Sequence, residues 1–146
     1  MIAIGSDHGG FALKEHLKKK LEERGLEVRD FGTYSSDSCD YPVFAKAAAL
    51  SVAGGECEKG ILVCGTGLGM AITANKVKGI RAACCSDTFS ARYTRLHNDA
   101  NILCLGERVV GFGLAEELMD VFLSTGFEGG RHKRRIDLIA DIEDGL

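Results

Sequence analysis

The sequence predicts a three-layer α/β fold, Rossmann-like in the flavodoxin manner, with a parallel five-stranded sheet and helices on both faces. Three observations carry this expectation. Short apolar runs of strand length recur along the chain, helical patterns lie between them, and glycine or aspartate follows most of the runs. Such alternation feeds parallel strands through crossover helices. The 146 residues fit a single domain, 1–146, and suffice to bury a real core.

The elements follow in order. Residues 2–5 read as a strand that ends into Ser6-Asp7-His8-Gly9-Gly10. Leu13, Leu17 and Leu21, at i, i+4 and i+8, mark one face of a helix with Gly25 as its stop. A second strand covers 28–31. Asp40 ahead of Tyr41-Pro42 reads as the N-cap of a helix carrying Val43, Phe44, Ala47 and Leu50. The third strand, 61–64, runs into Gly65-Thr66-Gly67-Leu68-Gly69 and a helix over 70–74. Strand four covers 82–85, and strand five 102–105, with His97 at the helix end between them. Leu114, Ala115, Leu118, Val121 and Phe122 form a stripe closed near Gly126. Ile136, Ile139 and Ala140 mark the last helix.

Bulk properties exclude several classes. A net charge of −3 argues against a general nucleic-acid binder, whose footprint is basic. No apolar stretch approaches membrane-spanning length, and Met1-Ile2-Ala3-Ile4-Gly5 lacks the pattern of a secretory signal, so a cytoplasmic address is expected. The six cysteines contain no C-x-x-C pair, which fits neither a zinc site nor a disulfide framework. Most read as small buried hydrophobes.

Cys64 stands apart. In open α/β sheets ligands bind beyond the carboxyl ends of the strands, where strand order reverses. In a flavodoxin-like order the first and third strand ends share that crevice, so Asp7, His8 and Cys64 should converge. The loop after Cys64 offers backbone N–H groups and a helix start, which favour negative charge and a thiolate. A proton acceptor beside an anion hole is the expected chemistry. A dinucleotide fingerprint is excluded because Met70 stands where its third glycine belongs. A small cysteine phosphatase needs arginine at that same position.

Other candidates read two ways. Asp7 caps a helix or serves a site, and a cap alone leaves His8 and two glycines unexplained. His97 complements a helix dipole or moves protons. The run Arg131-His132-Lys133-Arg134-Arg135 is a solvated face, a nucleic-acid patch or a phosphate grip. Arg131 and Arg135, at i and i+4, share one helix face, as suits the oxygens of one phosphate.

Ser6-Asp7-His8-Gly9-Gly10-Phe11, Asp40-Tyr41-Pro42, residues 64–69, Ala74-Asn75-Lys76, Gly79-Ile80-Arg81-Ala82, residues 97–101, 106–111 and 128–132 together resemble the type B ribose-5-phosphate isomerases, a family that includes galactose-6-phosphate isomerase subunits. The resemblance runs in register from residue 1 to about residue 140. It implies a cofactor-free, metal-free aldose–ketose isomerase interconverting ribose 5-phosphate and ribulose 5-phosphate through an enediolate, as in the pentose phosphate pathway. Cys64 would be the base and Gly65, Thr66, Gly67, Leu68 and Gly69 the anion hole. His97 would assist ring opening, with Asp7 and Thr66 handling hydroxyl protons. Asp7, His8 and Asn98 would contact the substrate, and Arg108, Arg131 and Arg135 the phosphate. The resemblance also implies a homodimer, or a tetramer, with the site shared between subunits. The alternatives are a six-carbon phosphosugar substrate, and a non-catalytic phosphate-ligand module on the same fold.

Overall fold

Wholly apolar strands belong in the middle of a parallel sheet, and short or mixed ones at its edges. The computed structural model describes residues 1–146 and follows that rule. Strands β1 (Ile2–Ser6), β2 (Val28–Asp30), β3 (Lys59–Cys64), β4 (Ala82–Cys84) and β5 (Ile102–Gly106) form one parallel sheet in the order β2-β1-β3-β5-β4. Every residue of β1 and β5 is buried, whereas β2 and β4 are partly open. β1 and β3 are neighbours, as expected. The last two strands, however, exchange places relative to the flavodoxin order. Ile-Leu-Cys-Leu in β5 buries both faces and takes the interior, which leaves the small Ala-Ala-Cys of β4 at the rim.

Six helices accompany the sheet: α1 (Phe11–Glu23), α2 (Tyr41–Ala53), α3 (Leu68–Ala74), α4 (Thr88–Asn98), α5 (Phe112–Ser124) and α6 (Arg131–Glu143), the last packed on α4. Side chains alternate along each strand between two cores. Ile2, Ile4, Ile61, Val63, Leu103 and Leu105 meet Leu13, Leu17 and Leu21 of α1 together with Ala91 of α4 and Phe122 of α5. Ala3, Leu62 and Cys104 meet Ala45, Ala48 and Ala49 of α2 and Met70 and Ala74 of α3. Gly25, at φ +76°, ends α1 as expected. Asp40 occupies the N-cap position of α2, but its carboxylate makes no capping bond.

The β2–α2 connection is pinned by a residue that the helical pattern of α1 gave no reason to single out. Lys14 is fully buried, and its ammonium donates to Asp30 Oδ1 at 3.0 Å, Asp30 Oδ2 at 2.8 Å and the Thr33 carbonyl at 2.7 Å. It lies 5.2 Å from the Phe11 ring centre and 5.3 Å from that of Tyr34. A buried cation is tolerable only with such partners. Lys14→Met leaves the Asp30 carboxylate with only Lys18 and the Gly32 amide, and unfolding in urea should show a loss of about 3 kcal/mol.

Candidate active site

The carboxyl ends of β1 and β3 meet. Asp7, after β1, is buried, and its Oδ1 accepts from the amides of Gly9 at 2.9 Å and Gly10 at 3.2 Å. It therefore caps a single 3-10 turn, His8–Gly10, ahead of α1. A Cβ on Gly10 would lie 2.5 Å from the Val63 carbonyl, and one on Gly9 would lie 3.2 Å from the Gly65 nitrogen. The two loops are thus in backbone contact, and Asp7, His8 and Cys64 converge as expected. His8 Nδ1 accepts from the Cys39 amide at 3.2 Å, which leaves the proton of the neutral ring on Nε2.

Cys64 is 5% exposed, and its Sγ accepts from the Gly67 amide at 3.0 Å. This bond closes the turn that the glycines permit. Gly67 sits at φ +80°, and a Cβ there would meet Cys84 Sγ and the Leu105 carbonyl carbon, both at 2.9 Å. The amides of Gly65 and Thr66 donate to no other backbone group. Thr66 Oγ1 accepts from the Leu68 amide at 3.3 Å, and Gly69 packs under the Tyr41 ring. The Arg108 amide donates to the Gly65 carbonyl at 3.0 Å, and its side chain lies along that glycine. The neighbouring thiols are held protonated. Burial, with smaller contributions from Cys84 and Asp87, pushes Cys85 up to about 11, and burial likewise holds Cys104 well above the usual thiol range. Cys84, packed on Gly67, is raised first by desolvation and then by Cys64.

The remaining expected residues lie on α4 and α6, and His97 and Asn98 line a groove that also reaches Cys84 and Cys85. α4 starts beyond the carboxyl end of β4 and runs back for 11 residues, roughly 16 Å. His97 and Asn98 therefore sit beside the start of β4, where Arg81 Nε donates to the Asn98 carbonyl at 2.7 Å. α6 packs there against α4, with Arg131 and Arg135 exposed on its surface. Within one chain, Arg108 is thus not brought together with Arg131 and Arg135. The His97 ring stacks on the His132 ring, centroids 4.0 Å apart and planes at 10°. Glu128 Oε2 lies 3.3 Å from His132 Nε2 and 3.8 Å from His97 Nε2. Burial lowers the His132 pKa, and nearby His97 and Arg131 lower it further against Glu128. Sequence spacing gives no metal-ligand pattern, yet the fold gathers these three side chains. No helix is long and apolar enough to cross a membrane.

A strand-end sulfur inside an amide-lined turn, on an open parallel sheet, is the equipment of an enzyme that moves protons through an anionic intermediate. Residues 2–139 match the Ribose/Galactose Isomerase family, and the chain belongs to it. It is 53% identical over 142 residues to ribose-5-phosphate isomerase B of Escherichia coli K12, covering 97% of this chain and 95% of that one. The Clostridium thermocellum ribose-5-phosphate isomerase B structure superimposes with a TM-score of 0.98 at 54% identity, covering 99% of this chain and 97% of that one. The Mycoplasma genitalium ribose-5-phosphate isomerase B, solved with bound ribulose-5-phosphate, gives 0.95 at 41% identity, with 99% and 97% covered.

Gly67→Ala tests the turn. Positive φ and the contacts with Cys84 and Leu105 should together cost about 2 kcal/mol or more, read as a lower urea midpoint.

Proposed function

We propose that this chain is an aldose–ketose isomerase interconverting D-ribose 5-phosphate and D-ribulose 5-phosphate. The observation that carries this reading is the Cys64 sulfur seated 3.0 Å from the Gly67 amide, with the Gly65 and Thr66 amides free beside it. The Cys64 thiolate takes the C2 proton of the open-chain aldose. The C–H electron pair forms the C1–C2 double bond, and the carbonyl pair moves onto O1. Amides of residues 65–69 stabilise that oxyanion. Asp7 and Thr66 move the hydroxyl protons between O2 and O1, and the Cys64 thiol returns its proton to C1. Asp7, His8 and Arg108 hold the substrate at this end of the sheet.

Opening of the furanose ring falls to His97, a further substrate contact to Asn98, and the phosphate to Arg131 and Arg135 together with Arg108. In this reading one complete site draws on two copies of the chain, Cys64 from one and His97, Arg131 and Arg135 from the other, which the return of α4 away from the strand ends supports. Leu68, Ile72, Phe89 and Val109 are 57–68% exposed on α3, α4 and the loop after β5, apolar surface of the kind a second subunit covers. A homodimer is the minimal assembly, and a tetramer repeats it. All six cysteines are free, which suits a reducing cytoplasm.

Incubation with ribose 5-phosphate should yield ketose, and Cys64→Ala should remain folded while losing about 10²-fold or more of the rate. Near-wild-type activity in that variant would remove the assignment of the base. A second measurement tests the shared site. Cys64→Ala and His97→Ala homodimers should each be inactive, and co-refolding them should place both defects in one site of every mixed dimer. With random exchange, activity should recover to ~25% of wild type. No recovery in verified mixed dimers would return both residues to a single chain's site.

A further inference from the structure

His132 carries an unexplained nitrogen. The residue is 5% exposed, and its Nε2 is buried without a hydrogen-bond partner. A buried polar atom left unpaired is destabilising, so such an atom points to something it can bind. Nε2 faces Glu128 Oε2 at 3.3 Å, a contact too poorly aligned for a hydrogen bond. His97 Nε2 lies 3.8 Å from the same oxygen, and the three ligand atoms fall within 4.8 Å of one another.

We propose that His97, Glu128 and His132 form a binding site for a zinc-class divalent transition-metal ion, and that its occupancy blocks the enzyme. The block rests on the reading of His97 as the ring-opening residue; the site itself does not. Two imidazoles and one carboxylate are a recurrent zinc ligand set, leaving a fourth position for water. Metal–ligand bonds of about 2.1 Å in tetrahedral geometry separate ligand atoms by roughly 3.4 Å, close to the spacings here. One adjustment is needed. The ring planes lie 10° apart, so one ring must tilt for both lone pairs to reach a common ion. His97 and Glu128 supply it, with side chains 36% and 47% exposed, while buried His132 stays fixed. The ligand set also selects the ion. Arg131 and Arg135 on the same helix disfavour a cation held by charge alone, such as magnesium, whereas imidazole nitrogens favour zinc, copper or nickel. Coordination ties up His97 Nε2, which can then no longer pass a proton at the sugar ring.

Titration of chelator-treated protein with Co²⁺, followed by displacement with Zn²⁺, tests the site directly. Wild type and Cys64→Ala should bind one Co²⁺ per chain with equal affinity, with visible bands of a four-coordinate nitrogen and oxygen site and no thiolate-to-cobalt charge transfer. Glu128→Gln and His132→Asn should each bind at least about tenfold more weakly. Glu128 is exposed, so its variant remains informative if His132→Asn, checked by circular dichroism, fails to fold. Zn²⁺ should inhibit wild type, and each ligand variant, measured against its own metal-free rate, should need at least about tenfold more. Absent Co²⁺ binding, or binding lost in Cys64→Ala and kept in Glu128→Gln, would overturn the proposal. Binding that follows the three ligands without slowing the isomerase would uphold the site and remove His97 from the mechanism, so the two readings fail separately.

Discussion

Backbone packed on backbone at the carboxyl end of the sheet is the constraint from which the rest follows. A Cβ on Gly106 would lie 2.6 Å from the Thr66 carbonyl carbon, and one on Gly10 would lie 2.5 Å from the Val63 carbonyl. With no side chains between them, the ends of β1, β3 and β5 approach until their loops interlock. The Glu107 amide donates to the Cys64 carbonyl at 2.9 Å, and Glu107 Oε1 accepts from the Leu13 amide at 2.7 Å. That carboxylate satisfies one of the orphan donors in the first turn of α1. The turn around Cys64 is thereby tied to a strand on each side and to a helix start, the kind of rigid support that a preorganised site requires.

The same topology sets where each helix residue lies along the sheet. Parallel strands joined by crossover helices send each helix back toward the amino end of the sheet. A residue at the start of such a helix stays near the strand ends, and a residue at its last turn is carried away from them. Asp87, the N-cap of α4, is of the first kind, and His97 is of the second. Under the proposed reading, a base on β3 and a proton shuttle on the last turn of α4 would meet across a subunit contact, and α3 and α4 do carry exposed apolar side chains, Leu68, Ile72 and Phe89.

Legibility from sequence tracked how local each feature is. Gly25 ends α1 and the Leu13, Leu17, Leu21 stripe is buried, because helix stops and amphipathic spacing are set within a few residues. Cys64 and its glycine turn were readable for the same reason, since strand, turn and helix start are contiguous. The order of β4 and β5 was not, because it depends on which apolar run best fills a two-sided slot. Lys14 shows the limit most plainly. Its neighbours in sequence mark an ordinary helix, and only Asp30 and the Thr33 carbonyl, 16 and 19 residues away, make its burial possible. His132 belongs with Lys14. It stands within a basic run that reads as solvated surface, yet its ring lies beneath that of His97, 35 positions earlier.

The cysteines show how one side chain type is sorted by surroundings rather than by identity. Cys104 lies in the centre of β5 with nothing polar offered to it, and burial holds it as a thiol. Cys85 is held the same way, with its proton retained up to about 11. Cys84 lies beside the functional turn, its sulfur against the α-carbon side of Gly67, and can offer a proton only to the Thr66 carbonyl at 3.5 Å. Cys64 meets the opposite side of the same residue, the amide N–H. Two sulfurs thus contact one glycine, one on its apolar side and one on its polar side. A side chain at position 67 would displace Cys84 and reorient the amide together, so the position that shapes the turn also sets the different surroundings of the two sulfurs.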